Sequence, residues 1–262
     1  MPELIEVEYY RRALNERIGE RVQAVDVVDQ NYPRPKGFPG EAFKQLVGRS
    51  LQATTRRGKL LIANFGTGNS HLALGLRFGM TGRLLFDGRG PIEVLEYSSD
   101  RNDPAWDRFA LHIGAERLSV RDPRRLGSVE LDPDVTALGP DAWTIDAHAL
   151  QAALFRRRKA VKAALLDQQI IAGLGNLLVD ECLWRCAISP GRSCEDLGAE
   201  EIEQLAASIR HTIDDLFERG GSHQGDSFES RTDGAICPRD GGPMRHDTIG
   251  GRSTWWCSEH QC

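Results

Sequence analysis

The spacing of apolar residues changes three times along the chain. Residues 2–18 carry Leu4, Val7, Ala13 and Leu14 on or near one stripe, which predicts an amphipathic helix. From Val22 to about Leu131 the apolar runs become short and are separated by Gly, Pro, Asn and Asp, a pattern typical of an antiparallel sandwich or barrel. The runs are Val25/Val27, Leu60–Ile62, Leu72/Leu74/Leu76, Leu84–Phe86, Phe109/Leu111/Ile113, Leu118/Val120 and Val129/Leu131.

After Asp132-Pro133 the pattern becomes helical. Asp146 is a candidate cap for a first helix, and further helices are predicted over about 160–167, over 176–186, and through the regular apolar series from Ile202 to Phe217. Gly220-Gly221 ends the last of these helices, and a Cys/Gly-rich tail follows. We therefore predict an α+β multidomain protein: an N-terminal helix with an antiparallel β-sandwich in residues 1–132, a helical domain in 133–228 and a hairpin tail in 229–262.

Composition narrows the class of protein. With 262 residues, 40% apolar and 27% charged, the chain has the composition of a soluble globular protein. No apolar stretch approaches a membrane span, and the N-terminus is not a secretory signal, so we expect a cytoplasmic location. The net charge of −5 disfavours a polyanionic partner, but arginines are concentrated in residues 56–59, 121–125 and 156–159. A nucleic-acid surface needs local rather than global positive charge.

The second residue offers unusual chemistry. Removal of Met1 would leave Pro2 with a free secondary amine, which can attack a sugar C1′ carbon and form a cationic iminium. Glu3 would lie beside it as a general acid or base. The alternative interpretation is structural, because proline and the glutamates that follow it also suit the first turn of a helix.

The tail has the spacing Cys237-x2-Asp240-x16-Cys257-x2-His260. Two such pairs on the arms of a hairpin can hold one tetrahedral structural zinc ion. A carboxylate is an uncommon ligand in such sites, so Cys262 or His246 remains an alternative to Asp240. A metal-free hairpin held by packing of Trp255, Trp256 and Met244 also remains open. Arg252 is placed near the hairpin tip, where it could reach a phosphate.

These motifs occur together in one family. In order and with compatible spacing, the chain resembles the bacterial formamidopyrimidine-DNA glycosylase and endonuclease VIII family of base-excision repair enzymes. The resemblance rests on Pro2–Glu8 (with Ile5 where the family usually has proline), Arg57–Leu61, Gly79–Gly82, Asp122–Gly127, Leu165–Asn176 and the Cys/His tail.

The resemblance implies a bifunctional, monomeric enzyme that acts on double-stranded DNA. It would flip out a damaged base, cleave the N-glycosidic bond, and nick the backbone by β- and δ-elimination, with no cofactor beyond one structural zinc ion. Its middle domain would be a helix–two-turn–helix. Catalytic roles would fall to Pro2 as Schiff-base nucleophile, Glu3 as general acid, Lys59 in β-elimination and Arg252 in δ-elimination.

The resemblance also implies the DNA contacts. Glu6 would touch the sugar. Met80, Arg124 and Leu126 would fill the hole left by the flipped nucleotide. The alternative for Met80 is core packing. The N-terminus of the helix after Gly173-Leu174-Gly175 would offer bare backbone amides to a phosphate, with Lys162 and Asn176 adding side-chain donors.

Two departures from the family pattern affect the substrate. Leu126 stands where the oxidised-guanine enzymes commonly have phenylalanine. Only fifteen residues separate Gly221 from Cys237, so the loop that closes over the flipped base is expected to be short. Oxidised purines, ring-opened purines, oxidised pyrimidines, abasic sites and bulky adducts all remain candidate substrates. Two other classes also remain: a catalytically silent binder of DNA damage, and a zinc-finger transcription regulator, although no dimerisation element is evident.

Overall fold

A computed structural model describes residues 2–92, 95, 96, 99 and 101–262. Met1, whose removal the proline chemistry requires, lies outside the described residues. The chain divides into two compact units. The first takes in Pro2 and Glu6–Val135, and the second takes in Glu3–Ile5 and Thr136–Cys262. The helices and the hairpin tail therefore belong to one unit.

The first unit contains most of an N-terminal helix and two sheets, as predicted. Helix α1 (Leu4–Asn15) begins two residues after the predicted start and ends before residue 18. The strands are β1 (Val22–Val27), β2 (Pro33–Arg34), β3 (Ser50–Arg57), β4 (Leu60–Thr67), β5 (Ser70–Arg77), β6 (Arg83–Phe86), β7 (Asp107–Ile113), β8 (Glu116–Arg121) and β9 (Ser128–Leu131). One sheet has the order β1-β7-β8-β6 and the other the order β2-β9-β5-β4-β3, with only the short β2–β9 pair parallel among the described strands.

The core of this unit is a single cluster of buried apolar side chains. Its members come from α1 (Val7, Leu14), from the five-stranded sheet (Phe65, Leu74) and from the four-stranded sheet (Phe109). The apolar runs identified in the sequence supply these inward-facing positions. Strands β2 and β3 have no such run: β2 is two residues long, and in β3 only Leu51 and Thr54 are buried.

The second unit packs four helices with the tail hairpin. The helices are α2 (Ala147–Leu154), α3 (Val161–Leu165), α4 (Asn176–Arg185) and α5 (Ala199–Glu218). Asp146 caps α2, as predicted, by accepting a hydrogen bond from the backbone of Ala149 at 2.7 Å. The tail forms β10 (Met244–Ile249) and β11 (Arg252–Cys257), which pair in antiparallel register. Every residue of α4 except its last is buried, so this helix forms the centre of the unit.

None of the helices in the described part of the chain combines the length and apolar character needed to cross a membrane.

Candidate active site and metal centre

The Glu3 carboxylate is bound at the start of α4. It is fully buried, and its two oxygens accept hydrogen bonds from the backbone N–H groups of Gly175 at 2.6 Å, Leu177 at 2.9 Å and Leu178 at 3.3 Å. These donors are among those that a helix N-terminus leaves without internal partners, and the helix dipole favours a negative group there. The contact therefore fixes the residue that follows Pro2, and Pro2 itself is buried.

Gly175 is required by this contact. A Cβ atom at position 175 would lie 2.2 Å from the carboxyl carbon of Glu3. The sequence predicts that the glycine turn exposes bare amides to a phosphate. For Gly175, Leu177 and Leu178 that prediction is wrong, because the protein's own carboxylate already occupies their N–H groups.

The two predicted side-chain donors at this helix start turn toward the hairpin. The Lys162 amino group is fully buried, 2.5 Å from Asp180 Oδ1 and 3.0 Å from the Ser253 carbonyl oxygen. Asn176 Nδ2 donates to the same carbonyl at 2.9 Å. Burial lowers the pKa of Lys162, and the facing Asp180 opposes that shift. Both residues thus hold the backbone next to Arg252, and their contact with phosphate stays a prediction.

Arg252 lies at the hairpin tip and is exposed, which is the position expected from the sequence. Ile249 and Arg252 form the closing pair, and Gly250 and Gly251 have φ values of 60° and 72°. A two-residue loop with both φ angles positive is a type I′ turn, which favours glycine at both positions. Gly250 also packs against α3, since a Cβ there would lie 2.9 Å from the Cβ of Ala163.

In the first unit, Lys59 lies in the two-residue turn between β3 and β4. Arg57 pairs with Leu60 to close the hairpin, and Gly58 takes a φ of 57°. The Arg56 guanidinium donates to the Gly58 carbonyl at 2.8 Å, which orders the turn from one side. Lys59 is half-buried at this tip, while Glu6 is buried within α1.

Met80, Arg124 and Leu126 are brought together by two adjoining loops. Gly79, with a φ of 58°, lies so close to the second loop that a Cβ there would be 2.4 Å from the carbonyl carbon of Leu126. Met80 is half-buried, whereas Arg124 and Leu126 are exposed, Leu126 by 48%. An exposed leucine beside an exposed arginine has no packing role within the described residues, so these tips are available to a partner.

Asp122 joins the two loops, a role that the local sequence does not reveal. Its fully buried carboxylate accepts from the hydroxyl of Thr81 at 2.6 Å, the Gly127 N–H at 2.7 Å and the hydroxyl of Tyr32 at 3.2 Å. Burial, followed by the facing Asp122 charge, raises the pKa of Tyr32. The signal in the sequence was an aspartate directly before Pro123, a common way to start a turn.

The tail residues Cys237, Asp240, Cys257 and His260 form one cluster, with one ligand atom from each lying within 4.8 Å of the others. Cys237 Sγ is 3.7 Å from His260 Nδ1, and Cys257 Sγ is 3.4 Å from Asp240 Oδ1. Zinc–ligand bonds of about 2.0–2.3 Å give tetrahedron edges of roughly 3.3–3.8 Å, so these spacings fit a metal ion. Asp240 Oδ2 and His260 Nδ1, at 2.6 Å, are at hydrogen-bond distance. Hydrogen bonds from the Gly242 N–H and from His260 hold the pKa of Asp240 well below its usual range.

Outer contacts orient this cluster. The second ring nitrogen of His260 lies 3.2 Å from the Trp184 carbonyl, and the Trp184 indole N–H donates to Cys237 Sγ at 3.3 Å. Such contacts fix the ring and satisfy a thiolate. The alternative ligands Cys262 and His246 lie outside the cluster of the described residues; the His246 ring stacks on Trp255 instead.

Cys182 and Cys186 do not belong to any metal cluster found among the described residues. Burial raises the pKa of both thiols, that of Cys186 to about 11, so both side chains stay protonated and pack as apolar groups.

The short segment after α5 is held by Glu181. Its buried carboxylate accepts from the backbone N–H groups of Asp226 at 3.0 Å and Ser227 at 3.1 Å, and from the Ser227 hydroxyl at 2.6 Å. Arg185 bridges Glu181 and Asp226, at 2.7 Å and 3.1 Å. Hydrogen bonds and ion pairs from α4 therefore hold the segment in place at Asp226 and Ser227.

Comparison with known proteins agrees with this arrangement. The family model of the formamidopyrimidine-DNA glycosylase N-terminal domain matches residues 1–129, and that of the formamidopyrimidine-DNA glycosylase H2TH domain matches residues 137–227. The chain belongs to the formamidopyrimidine-DNA glycosylase family. It is a DNA glycosylase of base-excision repair, and the alternative of a silent damage-binding protein is not favoured.

Relatives and solved structures cover most or all of the chain. A formamidopyrimidine-DNA glycosylase of Ruegeria pomeroyi is 33% identical over 291 positions, covering 100% of both chains, and one of Cereibacter sphaeroides is 35% identical over 237 positions, covering 85% of this chain and 80% of its own. The Lactococcus lactis Fpg in complex with abasic-site DNA is 25% identical, covers 100% of both chains and superposes with a TM-score of 0.83. The 291-position alignment is longer than this 262-residue glycosylase, so the Ruegeria enzyme carries residues that this one lacks.

Gly175→Ala in the glycosylase tests the Glu3 contact. Because the added methyl group has no room beside the carboxylate, we expect a loss of roughly 1–3 kcal/mol in the free energy of unfolding, measured by urea titration. Gly198→Ala is the matched control: Gly198 precedes α5 in the same way, and its Cβ would meet nothing closer than 3.6 Å. Equal unfolding curves for the two variants would contradict the steric argument.

Asp122→Asn tests the junction of the two loops. An asparagine amide has one acceptor oxygen where the carboxylate has two, so at least one buried donor loses its partner. We expect a loss of about 1–3 kcal/mol in the free energy of unfolding. Thr81→Ser keeps the hydroxyl and should lose only about 0.8 kcal/mol, since it retains the hydrogen bond and loses one buried methyl group. A stable Asp122→Asn protein would show that the carboxylate does not hold the loops.

Proposed function

We propose that this glycosylase is also a lyase that works through its N-terminal proline. After removal of Met1, the Pro2 nitrogen attacks C1′ of the flipped nucleotide with its lone pair, and the N-glycosidic bond breaks as the base leaves with a proton. Glu3, as general acid, gives a proton to O4′, and the C1′–O4′ bond breaks, so the sugar ring opens to an iminium. Loss of a proton from C2′ then expels the 3′ phosphate, which is β-elimination, and loss of a proton from C4′ expels the 5′ phosphate, which is δ-elimination.

The observation that carries this proposal is the fixed position of Glu3 at the start of α4. A nucleophile at a chain end gains its advantage from orientation, because a freely moving terminus rarely meets C1′ at the correct angle. The three hydrogen bonds to Glu3 restrain the residue covalently joined to Pro2. A structural helix start would not require the first carboxylate to be tied to a residue 172 positions away.

Other residues take supporting roles in the proposal. Lys59, in its ordered turn, assists β-elimination and positions a phosphate, and Arg252, at the tip of a rigid I′ turn, grips a phosphate and assists δ-elimination. Glu6 contacts the sugar. The partner is damaged or abasic double-stranded DNA, a proposal supported by the Lactococcus lactis Fpg complexes with abasic-site DNA and with Fapy-dG-containing DNA.

Met80, Arg124 and Leu126 are proposed to fill the hole in the duplex. The arrangement of the two loops supports this role: one flexible apolar chain, one planar donor and one exposed apolar side chain project from a single support. Leucine retains the bulk needed to separate stacked bases.

We further propose that Cys237, Asp240, Cys257 and His260 bind one zinc ion. When bound, the ion supplies structural cross-linking of the tail rather than chemistry at the sugar. The four side chains link the segment before β10, which carries Cys237 and Asp240, to the end of β11 and the residues just after it, which carry Cys257 and His260. They thereby support the hairpin from which Arg252 projects.

Borohydride trapping on abasic DNA tests the lyase proposal. The correctly processed wild-type enzyme should form a covalent complex whose mass-mapped attachment is Pro2, because borohydride reduces the iminium to a stable amine. Acetylation of the N-terminus should abolish trapping. Lys36→Ala, which removes an exposed competing amine, should trap like wild type. Attachment at any lysine, or trapping by the acetylated chain, would refute the proline mechanism.

Zinc content measured by mass spectrometry of purified protein tests the metal centre. We expect about one zinc ion per chain in wild type and a near-complete loss in Cys257→Ser. Asp240→Ala should retain less metal than Cys262→Ser or His246→Ala, which should match wild type. Full occupancy in Cys257→Ser, or equal loss in Cys262→Ser, would exclude the proposed ligand set.

A further inference from the structure

The first unit contains a cavity of about 420 Å³ that none of the proposed catalytic roles uses. Four arginines line it: Arg83, Arg89, Arg101 and Arg121. None of its described lining residues is acidic. A cavity of this size is within the range that holds a small ligand, and the four arginines among its described lining residues favour an anion.

The four guanidinium groups differ in how far acids within the protein neutralise them. Arg121 is paired with the buried Asp107 at 2.7 Å and forms part of the wall. Arg101 meets Asp103 at 3.3 Å in an exposed pair that water screens. Arg83 donates to the Ile92 carbonyl at 2.9 Å, which fixes its place in the wall. Arg89 is exposed and forms no ion pair with any of the described residues.

An aromatic side chain accompanies this charge. Trp106 lines the cavity, and the Arg101 guanidinium lies 5.6 Å above its ring. Arginines that grip phosphate beside an aromatic face are a recurring arrangement in nucleic-acid sites, because a base can stack while its phosphate is bound.

The cavity adjoins the two loops that carry Met80 and Arg124. Its wall includes Thr81 and Pro123, the immediate neighbours of Met80 and Arg124. Thr81 is bound to Asp122, so the cavity wall and the two loops are parts of one rigid structure. A duplex entered by these loops would bring its backbone within reach of the cavity.

We propose that this arginine-lined cavity is a second phosphate-binding site, which takes a backbone phosphate of the DNA that the loops enter. The inference rests on the proposed function for the identity of the DNA. The same chemistry would also accept the phosphate of a free nucleotide, and the experiment separates these two sources.

The test compares Arg89→Ala with Arg89→Lys and Arg21→Ala. Arg21 is an exposed arginine of the same unit that does not line the cavity, so it matches the loss of charge. The dissociation constant for a duplex containing a tetrahydrofuran abasic analogue is measured by fluorescence anisotropy at several salt concentrations. Arg89→Ala should bind about tenfold more weakly, with the salt slope reduced by about one, while Arg21→Ala stays within about twofold of wild type. Arg89→Lys should retain most of the slope.

Calorimetric titration with dAMP provides the second arm. If Arg89→Ala loses dAMP binding while its DNA affinity is unchanged, the site takes a free nucleotide and the DNA assignment is overturned. If neither affinity changes, the phosphate site itself is overturned. Borohydride trapping by wild type is recorded in parallel: failure to trap would refute the lyase proposal, whereas the binding data would still report on the cavity.

Discussion

The contact on which the second unit depends is the one between the Glu3 carboxylate and the first turn of α4. A helix start buried in a protein must find acceptors for its N–H groups, and a buried carboxylate must find donors. Here the N–H groups donate to the carboxylate, so breaking the contact would deprive both the helix start and Glu3 of these partners. The same contact explains why residues 3–5 group with a unit that otherwise begins at Thr136. The buried Pro2 is thereby held by its covalent neighbour, and it is the residue that reacts in the proposed mechanism.

A second buried carboxylate organises the other side of α4. Asp180 lies 2.5 Å from both Lys162 Nζ and Arg231 Nη1, and Lys162 and Asn176 both donate to the Ser253 carbonyl. Burying a lysine is costly unless a partner and further hydrogen bonds compensate, and both are present here. The backbone of β11 at Ser253 is therefore tied to two helices, α3 and α4. An arginine at a hairpin tip can act on a phosphate only if the hairpin does not swing, and these hydrogen bonds restrain it.

Sequence periodicity was sufficient to predict the helices and strands that bury one regular face. It was insufficient to predict elements with few buried residues. Helix α5 repeats its apolar positions from Ile202 to Phe217, over about four turns, and strands β4 and β5 carry apolar residues that point into the core, so their patterns identified them. Strand β3 buries only Leu51 and Thr54, and its pairing with β4 is what makes it a strand. The roles of Pro2, Lys59 and Arg252 came from motif resemblance rather than periodicity. The partners of Glu3, Asp122 and Asp180 are set by tertiary structure, and the local sequence carries no record of a hydrogen bond across 172 residues.

The overall acidity of the chain is consistent with a DNA-processing enzyme once the acids are located. Glu3, Asp107, Asp122, Asp180 and Glu181 are all buried, and each is matched by backbone donors, hydroxyls or cations inside the protein. The cations paired with Asp107, Asp180 and Glu181 are already counted in the net charge of −5, so the distribution of the remaining exposed charges decides the potential that DNA would meet. Arg89, Arg124 and Arg252, by contrast, are all exposed. The hydrogen bonds of Asp122 hold the loop of Arg124, and those to the Ser253 carbonyl hold the hairpin of Arg252. Within each unit, buried acids therefore hold the backbone in place, and the exposed arginines of that unit face the solvent.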